Sequence, residues 1–406
     1  MHNQLKLLDS RFRGNDESKQ FQGFCEFINI TNGSRLEQVV SIVTEDDFGA
    51  LIGEERVLID VRAPVEFGAG AVPHSVNAPL LDDEQRRLVG ITYKQEGSSA
   101  AVALGENLIS GALRHKLIER WRNIAKNHPN ACFYCARGGL RSTIAQKWLA
   151  EAGVDIARIA GGYKALRTFF LERLEHPGNH MKPVLLGGRT GVGKTELLVT
   201  LSNGVDLEAL ANHRGSAFGR HLDEQPSQAD FENRLAAQLI KHDRLGATFI
   251  IVEDEGKHIG RCYLPAQLAD WFASGDMVLL EAPMDERVRR IFAEYVTAAQ
   301  QIYRRRLGDE AAESRWRADI HKALNRISKR LGGVRTTQIT ALLDDACRHQ
   351  RMSGDASRHE AWIERLLREY YDPMYDYQVA RKTAPIVCRG DCAGVREFLA
   401  TRYGDG

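Results

Sequence analysis

The chain has 406 residues, 43% of them apolar and 27% charged, enough for two ordinary domains with a helical remainder and against wholesale disorder. Fifty-five Lys and Arg nearly cancel 54 Asp and Glu, leaving +1, so any nucleic-acid contact must come from a local patch. No apolar run reaches the ~18–20 residues that span a bilayer as a helix, which excludes that class of membrane protein. Seven cysteines are sparse and odd in number, which argues against a disulfide framework and points to a reducing, cytoplasmic compartment.

Residues 1–35 are polar and Gly-containing, without apolar period or the apolar core of a secretory signal, and read as a flexible extension. Residues 36–172 alternate short apolar runs with helical spacing, the pattern of an α/β domain. The run Arg56 to Arg62 reads as a buried strand, 108–127 as a helix, and Asn130 to Tyr134 as a second strand. The stretch 140–152 reads as a helix with Ile144, Trp148 and Leu149 on one face. Residues 173–182, around His176-Pro177-Gly178-Asn179-His180, read as a linker. A second α/β unit spans 183–285, with strands at 183–187, 248–252 and 277–281. Residues 286–406 read as a charged, helical C-terminal region packed on that unit.

Gly188-Arg189-Thr190-Gly191-Val192-Gly193-Lys194-Thr195 matches G-x-x-x-x-G-K-[ST] between a predicted strand and a predicted helix, the context a phosphate-binding P-loop needs. Gly188, Thr190, Gly191 and Gly193 let backbone N–H groups wrap an anion at a helix N-terminus. Lys194 brings a point charge to the terminal phosphate, and Thr195 is placed to hold Mg²⁺. Glu253 and Asp254, after the strand 248–252, are the candidate acidic element for that ion. The motif specifies a polyphosphate without specifying a nucleotide.

The second site is Cys135-Ala136-Arg137-Gly138-Gly139-Leu140-Arg141-Ser142, between a strand and a helix. A cysteine at a helix N-terminus is favoured as thiolate. Arg137 and Arg141 add positive charge, Gly138 and Gly139 let the amides turn inward, and Ser142 opens the helix. Such a loop binds a tetrahedral oxyanion and presents a nucleophile. Cys132 forms a CxxC with Cys135, but no second CxxC or histidine pair accompanies it, so no metal site is expected.

Leu58-Ile59-Asp60-Val61-Arg62, Glu66, Val72 to Pro79, the Cys135 loop and Ile159-Ala160-Gly161-Gly162-Tyr163 resemble a rhodanese domain. Five residues separate Cys135 from Arg141, one more than the commonest sulfurtransferase form. That C-x5-R length leaves open a cysteine phosphatase fused to a P-loop ATPase. A rhodanese-like domain followed by a P-loop resembles the tRNA 2-selenouridine synthase family. Ala211-Asn212-His213-Arg214-Gly215-Ser216-Ala217-Phe218-Gly219, Glu253-Asp254-Glu255 and Tyr370-Tyr371-Asp372-Pro373-Met374-Tyr375 belong to the same resemblance, which covers about residues 38–380.

The resemblance implies a transferase acting on the wobble uridine in a tRNA anticodon loop. Geranyl diphosphate alkylates the sulfur of a 5-substituted 2-thiouridine, and selenophosphate then replaces the sulfur with selenium. Both are co-substrates, no tightly bound cofactor is expected, and a selenophosphate-supplying protein is an expected partner. Cys135 is the expected carrier of selenium, as a perselenide. His213 and Arg214 are candidates near the site.

Residues 304–335 hold ten Lys/Arg against four acids, a net +6. Arg304, Arg305, Arg306, Arg315, Arg317, Lys322, Arg326, Lys329 and Arg330 are the candidate tRNA contacts, with Tyr303 and Trp316 interleaved for base stacking. The stripe Trp362, Leu366, Tyr370 reads as core. A non-catalytic RNA-binding module using its P-loop as a switch is the remaining alternative.

Overall fold

The computed structural model describes residues 41–178, 180–219 and 224–404; the expected 1–35 extension and Asn179 of the expected linker lie outside them. Residues 42–406 form one compact unit that holds two parallel α/β sheets and a helical bundle.

The first sheet has the order β1-β5-β4-β2-β3: β1 Ile42–Val43, β2 Leu58–Asp60, β3 Ser75–Asn77, β4 Cys132–Tyr134 and β5 Ala157–Ile159. Every pairing is parallel, with Ile59 facing Phe133 on one side and Val76 on the other. Central strands β2 and β4 are buried along their whole length, as a sheet covered on both faces requires. The helices around it are α1 Phe48–Gly53, α2 Pro64–Ala69, α3 Asp83–Glu96, α4 Ser98–Leu108, α5 Gly111–Asn127, α6 Leu140–Glu151 and α7 Gly162–Glu175. The helix expected over 108–127 is observed as α5, starting three residues later after the extended Ser110, and a further helix, α4, precedes it. On α6 the buried stripe is Ser142, Ala145, Gln146 and Leu149, one step round from the expected face. Ile144 and Trp148 pack at the margin of the same core as Leu149, and the Arg114 guanidinium covers Trp148 at 4.4 Å from its ring centroid.

The second sheet has the order β12-β11-β6-β8-β7: β6 Lys182–Gly187, β7 Gly204–Val205, β8 Phe249–Glu253, β11 Asp276–Leu280 and β12 Ile386–Gly390. A short hairpin, β9 His258–Ile259 with β10 Cys262–Tyr263, stands apart. Its helices are α8 Lys194–Leu198, α9 Leu207–Leu210, α10 Gln228–Arg244 and α11 Ala266–Ala273. Strand β12 is the one strand within the mostly helical region expected after 286, among the described residues: the run Ile386-Val387-Cys388 pairs in parallel with β11 and completes the sheet edge. Only that distant pairing makes a strand of a five-residue segment.

The remaining helices are α12 Met284–Phe292, α13 Ala299–Leu307, α14 Asp309–Leu331, α15 Gly333–Ser353, α16 His359–Leu366, α17 Asp372–Val379 and α18 Cys392–Tyr403. Two π-helical turns, Ala293–Ala298 and Leu367–Tyr371, interrupt them. Trp316, Leu324, Leu343, Trp362 and Leu366 build the core of this bundle.

Helix α7 runs to Glu175 and β6 starts at Lys182, so a short connection leads from the last helix of the first sheet's layer into the second sheet. One apolar cluster reaches from Phe48, Leu58 and Phe170 to Leu235, Leu239 and Ile250. Helices α1, α7 and α10 thus fill the space between the sheets. Arg167 pairs with Glu232 and donates to Asn233 at 2.7 Å, while the Asn233 amide donates to the Ala71 carbonyl at 2.7 Å.

Candidate active site

Both chemical loops leave the carboxyl ends of central parallel strands, where an α/β sheet exposes the N-termini of the following helices. The Cys135 loop connects β4 to α6. Its backbone is folded by the turn ahead of α7: Tyr163 N–H donates to the Cys135 carbonyl at 2.8 Å, and Lys164 N–H to that of Ala136 at 2.9 Å. Those carbonyls therefore point away from the loop centre. The N–H groups of Arg137, Gly138 and Gly139 have no acceptor among the described residues, which is the arrangement an anion nest needs. The approach is close enough to demand glycine. Gly162 has φ +58°, and a Cβ there would meet the Cys135 carbonyl oxygen at 2.2 Å and Gly138 N at 2.4 Å.

The Cys135 sulfur lies 3.2 Å from Ser142 Oγ, over the first turn of α6, and 3.7 Å from the Gly139 carbonyl oxygen. The residue is 3% exposed and belongs to the apolar cluster that holds Ile59, Phe133 and Ala145. Arg141 does not face the loop as a free charge. It makes two hydrogen bonds to Glu66, at 2.6 and 3.1 Å, and Arg86 joins the same carboxylate at 2.9 Å. Burial alone would push Glu66 up, but the hydrogen bonds and charge of Arg141 outweigh it and hold the carboxyl below its ordinary value. Arg137 is exposed and has no partner among the described residues, so it is the loop's available cation.

The P-loop connects β6 to α8. Val192 N–H closes the turn onto the Arg189 carbonyl at 3.2 Å, while the N–H groups of Gly191, Gly193, Lys194 and Thr195 have no acceptor among the described residues. Lys194 Nζ folds back to donate to the Gly188 carbonyl at 3.2 Å. Thr195 Oγ1 donates to Glu253 Oε1 at 2.9 Å, so one of the two expected acids stands where a P-loop cation would sit. The other, Asp254, follows the end of the strand and is paired with Lys382. Glu253 Oε2 is buried without a hydrogen-bond partner. Among the described residues no three His, Cys, Asp or Glu side chains group as a metal cage.

Several side chains at this site were not singled out in the sequence. Glu208, on α9, accepts from Gly215 N–H at 2.6 Å and shares Gly215's surroundings with Glu255. Burial, then the neighbouring Glu255, pushes Glu208 up to about 8, against the pull of Lys194. Burial, then Glu208 and Asp206, pushes Glu253 up to about 7. The Asp372-to-Tyr377 segment, legible only as an aromatic-rich motif, straps the P-loop. Gly188 N–H donates to the Tyr375 hydroxyl at 2.5 Å. Arg189 pairs with Asp376 at 2.7 Å. Buried Arg287 bridges Asp372, at 3.0 and 2.5 Å, and the Thr190 carbonyl, at 2.9 Å. Of the two motif candidates, His213 is buried, and Arg214 pairs with Glu294 at 2.5 Å while covering the Tyr295 ring at 5.0 Å.

The expected tRNA patch divides. Arg315 pairs with Asp319 at 2.9 Å, Arg317 with Asp344 at 2.8 Å, and Lys322 with Asp319 at 3.7 Å. Arg326 donates to the Ala217 carbonyl, anchoring the Ala211-to-Gly219 motif. Arg306 is exposed on α13. Arg304, Arg305, Lys329 and Arg330 are exposed and without ion pairs among the described residues. Trp316 is not a stacking platform: it is 1% exposed and its indole N–H donates to the Tyr295 carbonyl at 2.9 Å. Tyr303 is half-buried and donates to Asp319 at 2.9 Å.

Comparison with known proteins agrees with this layout. Residues 44–168 match the rhodanese-like domain family, and residues 181–405 match the tRNA 2-selenouridine synthase AAA domain. The chain is 46% identical over 353 residues to the tRNA 2-selenouridine synthase of Sulfurovum sp., covering 87% of this chain and 97% of that one. It is 45% identical to the protein of the same name from Hahella chejuensis (87% and 94% covered) and 41% to that from Shewanella piezotolerans (89% and 99%).

Proposed function

The chain belongs to the tRNA 2-selenouridine synthase family, and from that premise we propose that it converts the wobble 5-substituted 2-thiouridine of cytoplasmic tRNA into 2-selenouridine in two transfers. One observation carries the reading: a single compact unit holds two open amide cradles, one armed with Lys194 and one with Cys135.

In the first transfer the sulfur of the thiouridine attacks C1 of geranyl diphosphate. The S–C bond forms, the C1–O bond breaks, diphosphate leaves with the electron pair, and the N3 proton of the base passes to solvent. The amides of Gly191, Gly193 and Lys194, with the Lys194 ammonium, meet the charge that develops on the leaving group. Thr195 and Glu253 are the residues that would hold Mg²⁺, and the unpartnered Glu253 oxygen fits that use. A bound cation would neutralise further diphosphate charge.

Alkylation makes C2 more electrophilic and turns the sulfur into a thiolate leaving group. In the second transfer the selenium of selenophosphate attacks C2 and geranyl thiolate departs; water then cleaves the Se–P bond. The amides of Arg137, Gly138 and Gly139, with Arg137 itself, hold the tetrahedral anion, and Cys135 directs the selenium. This route needs no oxidant. A Cys135 perselenide made from selenophosphate would instead require phosphorus to leave as phosphite. Selenophosphate delivered by a supplying protein enters at this loop, and the exposed Arg304, Arg305, Lys329 and Arg330 contact the anticodon arm.

The test is mass spectrometry of nucleosides from tRNA of cells carrying the wild type or a variant. Lys194→Ala should leave 2-thiouridine with neither product, and Cys135→Ser should accumulate the geranylated nucleoside. Undiminished geranylation in the first would dismiss the diphosphate assignment. Undiminished selenation in the second would dismiss the role of Cys135.

A further inference from the structure

The turn of α7 that folds the Cys135 loop is itself gripped by the P-loop domain. Helix α10 presents Asn233, which is wholly buried. Its side-chain carbonyl accepts from Arg167 at 2.7 Å, and its amide donates to the Ala71 carbonyl at 2.7 Å and to the Tyr163 hydroxyl at 3.3 Å. Both amide hydrogens and the carbonyl of Asn233 are therefore spent on the rhodanese-like domain. Asp230, about one turn earlier on α10, accepts from Ala71 N–H at 2.8 Å, so the helix holds both backbone groups of that residue. The Arg62 guanidinium covers the Tyr163 ring, 4.0 Å from its centroid, and donates to the Gly70 carbonyl at 2.8 Å. The packing has no slack: a Cβ on Gly70 would meet Tyr163 Oη at 2.7 Å and Ala229 Cβ of α10 at 2.9 Å.

Tyr163 thus faces two ways. Its backbone N–H holds the Cys135 carbonyl at 2.8 Å, and its hydroxyl receives Asn233 from the other domain. We infer that Asn233 and Tyr163 are positioning residues for the second transfer. Through them the P-loop domain fixes the turn that keeps the amides of Arg137, Gly138 and Gly139 directed into the loop, so selenation depends on a residue outside the rhodanese-like domain. This rests on the reading of the Cys135 loop as the site of that transfer. A cradle of amides works by being aimed before the charge develops, and a tilt of its supporting turn spoils that aim without removing any group that meets the substrate. The start of α10 is anchored in turn beside the first site. Gln225 donates to the Ala211 carbonyl at 2.9 Å, directly after the short helix α9 that carries Glu208.

The experiment measures the two transfers separately in the full chain. Geranyl diphosphate with 2-thiouridine tRNA reports the first, selenophosphate with geranylated tRNA the second, each product read by mass spectrometry of the nucleosides. Asn233→Ala should leave the first transfer at the wild-type rate, with the KM for tRNA unchanged. It should lower kcat of the second by about 10–100-fold, the cost of misplacing a reacting group from a distance. Tyr163→Phe removes the hydroxyl and keeps the ring under Arg62. It should act in the same direction more weakly, and covers the case in which Asn233→Ala, leaving Arg167 and the Ala71 carbonyl without that partner, fails to fold. An unchanged second transfer in the folded variants, or a fall shared equally by both transfers, overturns the positioning assignment while leaving the reading of the Cys135 loop intact. No selenation by wild type overturns that reading, and the assignment with it.

Discussion

Replacing Asp372 with alanine isolates the strap on the P-loop without touching the amides that bind phosphate. Arg287 is 2% exposed, and its guanidinium spends two N–H groups on Asp372, at 3.0 and 2.5 Å, and one on the Thr190 carbonyl, at 2.9 Å. Asp372→Ala leaves a buried cation with only that carbonyl. Removing one partner of such a pair costs about 3–5 kcal/mol. The urea midpoint should therefore fall by that energy divided by an m-value that the variant leaves unchanged. Replacing both partners with apolar residues, Arg287→Met with Asp372→Leu, should recover most of the loss, since a buried pair and its apolar substitute are often close in energy. It should not recover the Thr190 anchor, worth about 0.5–1.5 kcal/mol, so diphosphate binding stays weakened even where stability returns. Equilibrium urea unfolding, with calorimetric titration of inorganic diphosphate, reads both effects. A single variant within about 1 kcal/mol of wild type, or a double variant as unstable as the single one, would refute the claim that the buried charge requires Asp372.

Glu208 and Glu253, pushed up to about 8 and about 7 from 4.5, hold protons in the folded state that the unfolded chain has released. Their contribution to stability is complete below the unfolded value and is lost as pH rises through about 7 to 8. Melting temperature should fall across that window, and Glu208→Gln should flatten the fall; an identical slope in the variant would count against the cluster. Gly162→Ala should collapse the Cys135 loop, since the added Cβ would sit 2.2 Å from a carbonyl oxygen at a positive φ. A loss of about 1–3 kcal/mol in unfolding free energy is expected, and a variant as stable as wild type would show that the loop can move aside. Replacing Arg304 and Arg305 by alanine should weaken tRNA binding and reduce its log–log salt slope by about 2, roughly one per phosphate contact. Filter binding over a salt series measures this, and an unaltered slope would remove them from the interface.

Some of the protein was legible from the chain alone because its requirements are local. A P-loop and a C-x5-R loop each need glycines, a cation and a helix start within eight consecutive residues, so Gly188 to Thr195 and Cys135 to Ser142 carry their own geometry. The strands Leu58–Asp60, Cys132–Tyr134 and Phe249–Glu253 likewise show as buried, since a strand covered on both faces is an apolar run along most of its length. Packing decided what short-range pattern leaves undetermined. Trp316 is an aromatic amid basic residues in the sequence, yet helix α14 turns it onto the Tyr295 carbonyl. Arg317 looked free because its partner Asp344 lies on the next helix. Glu66 meets Arg141 75 residues away, and Tyr375 reaches Gly188 across 187. Helical periodicity says that a face will be covered, but only the folded chain determines which residues cover it. The strap on the P-loop, the acid cluster beside Lys194 and the grip of Asn233 on Tyr163 all arise from residues far apart in sequence whose contacts only tertiary packing creates.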